Sequence, residues 1–130
     1  AGSPMGQEQA AISRINPSTM QVEKVMTFPS INDSPYNLRV SGDGKDMYYV
    51  SYHVYKVGID DDGLPDSPFI AADAGQMYYG LGVEPVTGDV YVSDAIDYMQ
   101  KGRILRYSKT GVKMDSFTAD IIPGAFCFKN

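Results

Sequence analysis

The chain has 130 residues, 43% of them hydrophobic and 21% charged, the balance of a folded domain rather than of a disordered or fibrous chain. Its 11 basic side chains are outnumbered by 16 acidic ones, for a net charge of -5, and no basic run is available to neutralise phosphates, which argues against nucleic acid as a partner. No segment approaches the roughly 18 consecutive apolar residues of a membrane-crossing helix, so no transmembrane segment is expected, and the single Cys127 has no partner for an internal disulfide.

In chain order, residues 1–11 (AGSPMGQEQAA) lack the basic start and apolar stretch of a secretion signal and read as a loop or a tag scar. Residues 12–28, ISRINPSTMQVEKVMTF, place short β-rich runs on either side of the turn-forming Asn16, Pro17, Ser18 and Thr19, which predicts a hairpin. Residues 34–70 open with SPYNLRVSGDGKDMYYVS, two strands around Asp43 and Gly44, and continue with VYKVGIDDDGLPDSPF, a second hairpin turning at residues 60–63. The run Asp60, Asp61, Asp62, Gly63 has the composition of a calcium loop but lacks the spaced ligands and closing Glu, so a plain hairpin turn explains it.

Residues 77–119 repeat the pattern: MYYGLGVEPVTGDVYVSD turns at Thr87 and Gly88, an insert DAIDYMQKG fills residues 94–102, and ILRYSKTGVKMDSF turns at residues 109–111. Residues 121–130, IIPGAFCFKN, begin the first unit once more, with a strand expected at residues 126–129 and Cys127 as a buried, inert thiol. Asn37, Gly80 and Gly124 recur about 43 residues apart, while Arg14, Lys56 and Arg106 mark the second unit, which closes on Phe28, Phe69 and Phe117.

A period of about 40 to 50 residues filled by four strands is the mark of a β-propeller; a helical solenoid of similar period would need a 3.6-residue apolar pattern, which is absent. The expected fold class is all-β, a β-propeller fragment of about two and a half four-stranded antiparallel blades. Lettering the strands of a blade A (innermost) to D (outermost), residues 12–28 are the outer C–D hairpin of an incomplete blade, residues 34–70 and 77–119 are complete blades, and residues 121–130 are the innermost strand of a ring-closing blade. Leu38, Val40, Val50, Leu81, Val83 and Val92 are expected to be buried between blades, where neighbours cover both faces of a sheet.

On VYVSDAIDYMQKGRILRYSKTGVKMDSF and IIPGAFCFKN in particular, the chain resembles the YVTN or YncE-like seven-bladed propellers, and among them the exported propeller lipoproteins of Gram-negative gut anaerobes. The resemblance implies the C-terminal part of a longer ring and a periplasmic or cell-surface location. It also implies partners in the form of N-terminal blades or other copies of the chain.

Propeller ligands collect where D-to-A and B-to-C connections gather, because loops on a rigid scaffold carry function. Here the former fall at residues 29–36, 71–79 and 118–123, the latter at Tyr52 and His53 and at residues 94–102. They assemble a candidate ligand-binding set of Tyr36, Asn37, Tyr52, His53, Tyr78, Tyr79, Asp94, Tyr98 and Lys101. Aromatic platforms with a few polar groups suit a glycan, a planar small molecule or a protein, although packing between blades is the ordinary use of any one of these tyrosines. His53 is the only histidine, there is no Ser-His-Asp order or CxxC pair, and Gly80-Leu81-Gly82 lacks the third glycine and the helix of a phosphate loop.

No catalytic residue, metal or cofactor is therefore expected from these residues, and a non-catalytic binding propeller is the leading reading. The alternatives are a lactonase-like or quinoprotein-like propeller enzyme with catalytic residues mostly elsewhere, and a protein-docking scaffold.

Overall fold

The computed structural model describes residues 8–129; residues 1–7 of the expected N-terminal loop, and Asn130, lie outside the described residues. The described strands are β1 (Ala11–Asn16), β2 (Gln21–Thr27), β3 (Tyr36–Val40), β4 (Asp46–Ser51), β5 (His53–Gly58), β6 (Tyr78–Val83), β7 (Val90–Asp94), β8 (Lys101–Tyr107) and β9 (Lys113–Ile121). They form three antiparallel sheets in strict chain order, β1-β2, β3-β4-β5 and β6-β7-β8-β9, with β3 packed beside β6.

The turns fall where the residues demand them. Asn16 Oδ1 accepts hydrogen bonds from the Ser18 and Thr19 amides, fixing the β1–β2 turn. Ser41 O accepts from Gly44 N at 2.9 Å, and Glu84 O from Gly88 N at 3.0 Å, closing the first hairpin of each larger sheet.

Side-chain alternation along β4 explains the stacking. In DMYYVS, Tyr48 and Val50 face the β6–β9 sheet, where they join Val54, Ile70, Leu81, Val83, Val90, Val92 and Leu105 in one core. Met47 and Tyr49 face the other way and pack with Val57 against Ala10, Met26 and Phe28 of the first hairpin. β4 is thus buried on both faces, and each fully buried aliphatic on it or its neighbours contributes about 1.5–3 kcal/mol.

Four expectations are corrected. Leu38 and Val40 are 44% and 50% exposed, because the sheet in front of β3 has only β1 and β2 and no strand stands opposite. The outer strand expected at the end of residues 34–70 is reduced to a single bridge, Val54 with Ile70. Its residues carry Pro65 and Pro68, which cannot donate to a ladder, and Asp61 Oδ2 takes the Gly58 amide that such a strand would have bonded. Residues 123–129 carry no ladder bonds, so the strand expected at residues 126–129 is not formed among the described residues. For the same reason Cys127 is exposed rather than buried.

Tyr49 provides a test of the core between the first two sheets. Burial, then Tyr55, then Asp33 push its hydroxyl from 10.0 up to about 12. The folded chain holds this proton more tightly than the unfolded one, so the linked stability is complete below pH 10 and is lost as pH rises through about 12. Urea midpoints measured across this alkaline range should fall with pH, and Tyr49→Phe should flatten part of that fall; an identical pH profile in the variant would contradict the assignment.

Candidate functional site

The ladder registers bring the connections predicted to carry function to one end of the sheets. Tyr36 pairs with Val50 and Ser51 with His53 at that end of the central sheet, while Tyr78 pairs with Asp94 and Lys101 with Ile121 at the end of the next. The Tyr36 hydroxyl donates to Tyr78 O at 2.5 Å, and Asn37 Nδ2 donates to Tyr79 O, so the two inner strands are tied together at this rim.

Three tyrosines converge there. Tyr36, Tyr79 and Tyr98 are each about two-fifths exposed, and the Tyr79 and Tyr98 rings meet edge to face with centroids 5.8 Å apart. Burial first, then the neighbouring Tyr98 and Tyr79 hydroxyls, raise the Tyr36 pKa above its ordinary value, keeping it a neutral hydrogen-bonding group. The platform has apolar ring faces and hydroxyl edges but no fixed charge within it.

The insert between β7 and β8 is held by carboxylates. Asp94 is buried; its Oδ1 accepts from the Met77 and Ile96 amides, both at 3.0 Å, and its Oδ2 meets Arg103 at 3.1 Å. Asp97 Oδ1 accepts from the Met99 and Gln100 amides, and these bonds, Met99 first, hold its carboxyl below the usual range. Tyr98, directly after Asp97, is presented with a φ of 63° and its amide bonded to Ala95 O at 2.9 Å.

The candidate residues therefore separate. Tyr36, Asn37, Tyr79 and Tyr98 come together at the inner rim. Tyr78 packs in the core with its hydroxyl beside Tyr107, and Asp94 is an internal support, so neither is open to a ligand. Lys101 is exposed at the start of β8. His53 Nδ1 accepts the Ala72 amide at 2.9 Å, which in the neutral ring leaves the proton on Nε2, and its ring stands 4.7 Å from Tyr52 and 6.2 Å from Tyr55. Tyr52 and His53 thus belong to a second aromatic group.

Sequence reasoning missed the floor of the inner rim. The Tyr79 ring sits over Gly124, where an added Cβ would stand 3.1 Å from it, and residues 123–128 lie against the far face of β6 and β7. Ser93 Oγ bridges the two, donating to Pro123 O and accepting from Gly80 N at 2.6 Å. Alternate glycines in YYGLGV were the available signal: a Cβ on Gly82 would lie 2.8 Å from Phe126 Cβ.

Successive antiparallel sheets stacked face to face, with their first strands side by side, define a β-propeller fold. Comparison of the sequence with family models and with curated proteins finds no match. Among solved structures the chain is similar to a quinoprotein alcohol dehydrogenase-like protein from Bacteroides thetaiotaomicron, with a TM-score of 0.68 and 23% identity over 85% of this chain. The chain spans only 28% of the length of that structure.

Gly82→Ala should push residues 123–129 off the sheet at a cost of about 1–3 kcal/mol. Hydrogen exchange of that segment should speed up while the amides of β7 stay protected; unchanged protection of residues 123–129 would show that they are not held against β6.

Proposed function

We propose that this chain is the ligand-facing part of an exported propeller of the YVTN or YncE-like kind, which binds a glycan or planar small molecule non-catalytically at Tyr36, Asn37, Tyr79 and Tyr98. The observation that carries the reading is the convergence of three half-exposed tyrosines on a rim whose backbone is tied from strand to strand. Aromatic faces stack on sugar rings or planar groups, and the hydroxyl edges with Asn37 supply directional bonds. Periplasmic or cell-surface location follows from the same reading and from the sequence resemblance.

Titrating the chain with a glycan panel and with planar quinones, followed by tyrosine fluorescence, tests it. Tyr98→Ala should weaken the binder about tenfold, equivalent to about 1.4 kcal/mol. An unaltered titration in that variant would exclude the rim.

A second reading is favoured by the quinoprotein-like structural neighbour: a propeller enzyme that places a metal or quinone over the channel. Turnover of lactones or alcohols dependent on added metal or quinone would decide for it. A third use of the same exposed tyrosines is the docking of a protein partner.

The partners we propose for the sheet stack are N-terminal blades or further copies of the chain. An apolar cleft lined by Ile12, Ile15, Met26, Leu38, Val40 and Met47 lies between the first hairpin and β3, where Leu38 and Val40 are bare. Unpaired edges and bare apolar faces of this kind recruit other chains. Light scattering of the isolated chain should give a mass above the 14.2 kDa of one copy; a cooperative monomer would refute the proposal.

A further inference from the structure

We infer that the cleft between the first hairpin and the central sheet is a binding site for an organic cation, a primary ammonium or guanidinium group, separate from the tyrosine rim. The cleft holds about 460 Å³ and lies between the end of β2 and the loop after β5, away from the bare flank of β3.

One wall is a run of rings. Phe28 meets Tyr49 edge on at 5.4 Å, Tyr49 stacks on Tyr55 at 5.4 Å and 13°, and Tyr55 continues to His53. The lining also includes the carboxylates Asp33, Asp62 and Asp66, and no Lys or Arg lines the cleft. Asp62 is engaged by Lys24 at 3.2 Å and Asp33 by the Ser30 amide, whereas Asp66 has no partner among the described residues.

Tyr49 gives an independent pointer. The residue is 3% exposed, yet its hydroxyl has no hydrogen-bond partner among the described residues. It is not sealed from solvent either; Tyr49 lines this cleft and a smaller one beside Pro35 and Leu38, and the two groups that act on its hydroxyl, Tyr55 and Asp33, both line the larger cleft, which puts the hydroxyl on that side.

The protein shows what such an arrangement holds. On the other face of the central sheet, Lys56 Nζ lies 5.7 Å from the Tyr48 ring centre and 3.0 Å from Asp46; in the last sheet, Arg106 lies 5.8 Å from the Tyr91 ring centre and 2.5 Å from Asp89. In both, a cation is shared between a ring face and a carboxylate, the pairing that electrostatics favours. The cleft has the ring face, the unpaired Asp66 carboxylate and an unpartnered hydroxyl, while the nearest cation, Lys24, is committed to Asp62 and the Asp60 and Asp61 carbonyls. An anion would be repelled by Asp33 and Asp66, whereas a cation gains an ion pair there that a neutral sugar cannot form.

Calorimetry on the full chain with cadaverine, agmatine and a short lysine-containing peptide tests the proposal, with glucose and glutarate as neutral and anionic counterparts. The cations should bind one per chain with a dissociation constant of about 1 mM or tighter. Asp66→Asn, at an exposed position, should weaken them about tenfold, while Asp120→Asn, which removes the same charge from β9, should leave them unchanged. Tyr55→Leu should also weaken them, with thermal unfolding recorded to confirm that the variant folds. Tighter binding of the peptide identifies a partner's basic side chain as the source, and equal binding identifies a free amine; both agree with the proposal. Equal loss in Asp66→Asn and Asp120→Asn, glucose binding as tightly as the cations, or no saturable cation binding at about 10 mM each overturns it.

Discussion

The central sheet of this protein has two apolar faces, and the stacking of the other sheets follows from the need to cover both. β4 states the constraint most plainly: Met47 and Tyr49 point to one neighbour, Tyr48 and Val50 to the other, and none of the four is more than 7% exposed. Strand alternation usually leaves one face for water; here it delivers apolar side chains to two cores. Where a full sheet stands opposite, the core closes around Leu81, Val92 and Leu105. Where only a hairpin stands opposite, Leu38 and Val40 are bare. Where neither does, residues 123–128 lie directly on the backbone at Gly80 and Gly82.

The same stacking governs the charges. A Lys or Arg on a sheet face must share the narrow space between sheets with rings, so Lys56 and Arg106 each lie over a tyrosine directly across the ladder and reach a carboxylate at the strand's start. Both pairs keep partial contact with water, so their value is modest in energy, but they fix where the cation goes. The cleft beside Tyr49 and Tyr55 is the exception to this pairing.

Most of the fold was legible because it is written in local terms. The repeat about 43 residues long, the Asp-Gly and Thr-Gly turns and the β-rich runs between them specify sheets in chain order. What failed depends on partners distant in sequence. The loss of the outer strand after β5 is signalled by Pro65 and Pro68, but the internal repeat, read as four strands per period, argues for a fourth strand. Tyr78 and Tyr79 look alike in sequence; a register shift between Tyr78 and Leu81 buries the first and exposes the second. Tyr52 and His53 share an end of the sheet with Tyr36 but pack with Tyr55, because tight pairing of Ser51 with His53 turns them toward the first hairpin's side. The outer cleft gathers Phe28, Asp33, Tyr49, Tyr55 and Asp66 from four segments, and no local pattern announces it.

Backbone strain sorts the two ends of the molecule. Among the described residues the non-glycine positions with positive φ are Met20, Asn37, Tyr52, Ile96, Tyr98 and Ile122, and all but Met20 lie at the end that carries the tyrosine rim. Ile96 and Ile122 are β-branched, for which this conformation is costly, on the order of 1–3 kcal/mol each. Such strain survives only where the surroundings overdetermine the chain. At Ile96 the buried Asp94 carboxylate takes its amide and that of Met77 together; at Asn37 the side chain is bonded to the next inner strand. The stack of sheets supplies the rigidity that lets these connections hold unfavourable conformations, and in doing so it fixes the spacing of Tyr36, Tyr79 and Tyr98, as the binding role proposed for them would require. A platform set in advance loses little freedom on binding, which is the physical advantage of building it at the end of a propeller rather than on a free loop.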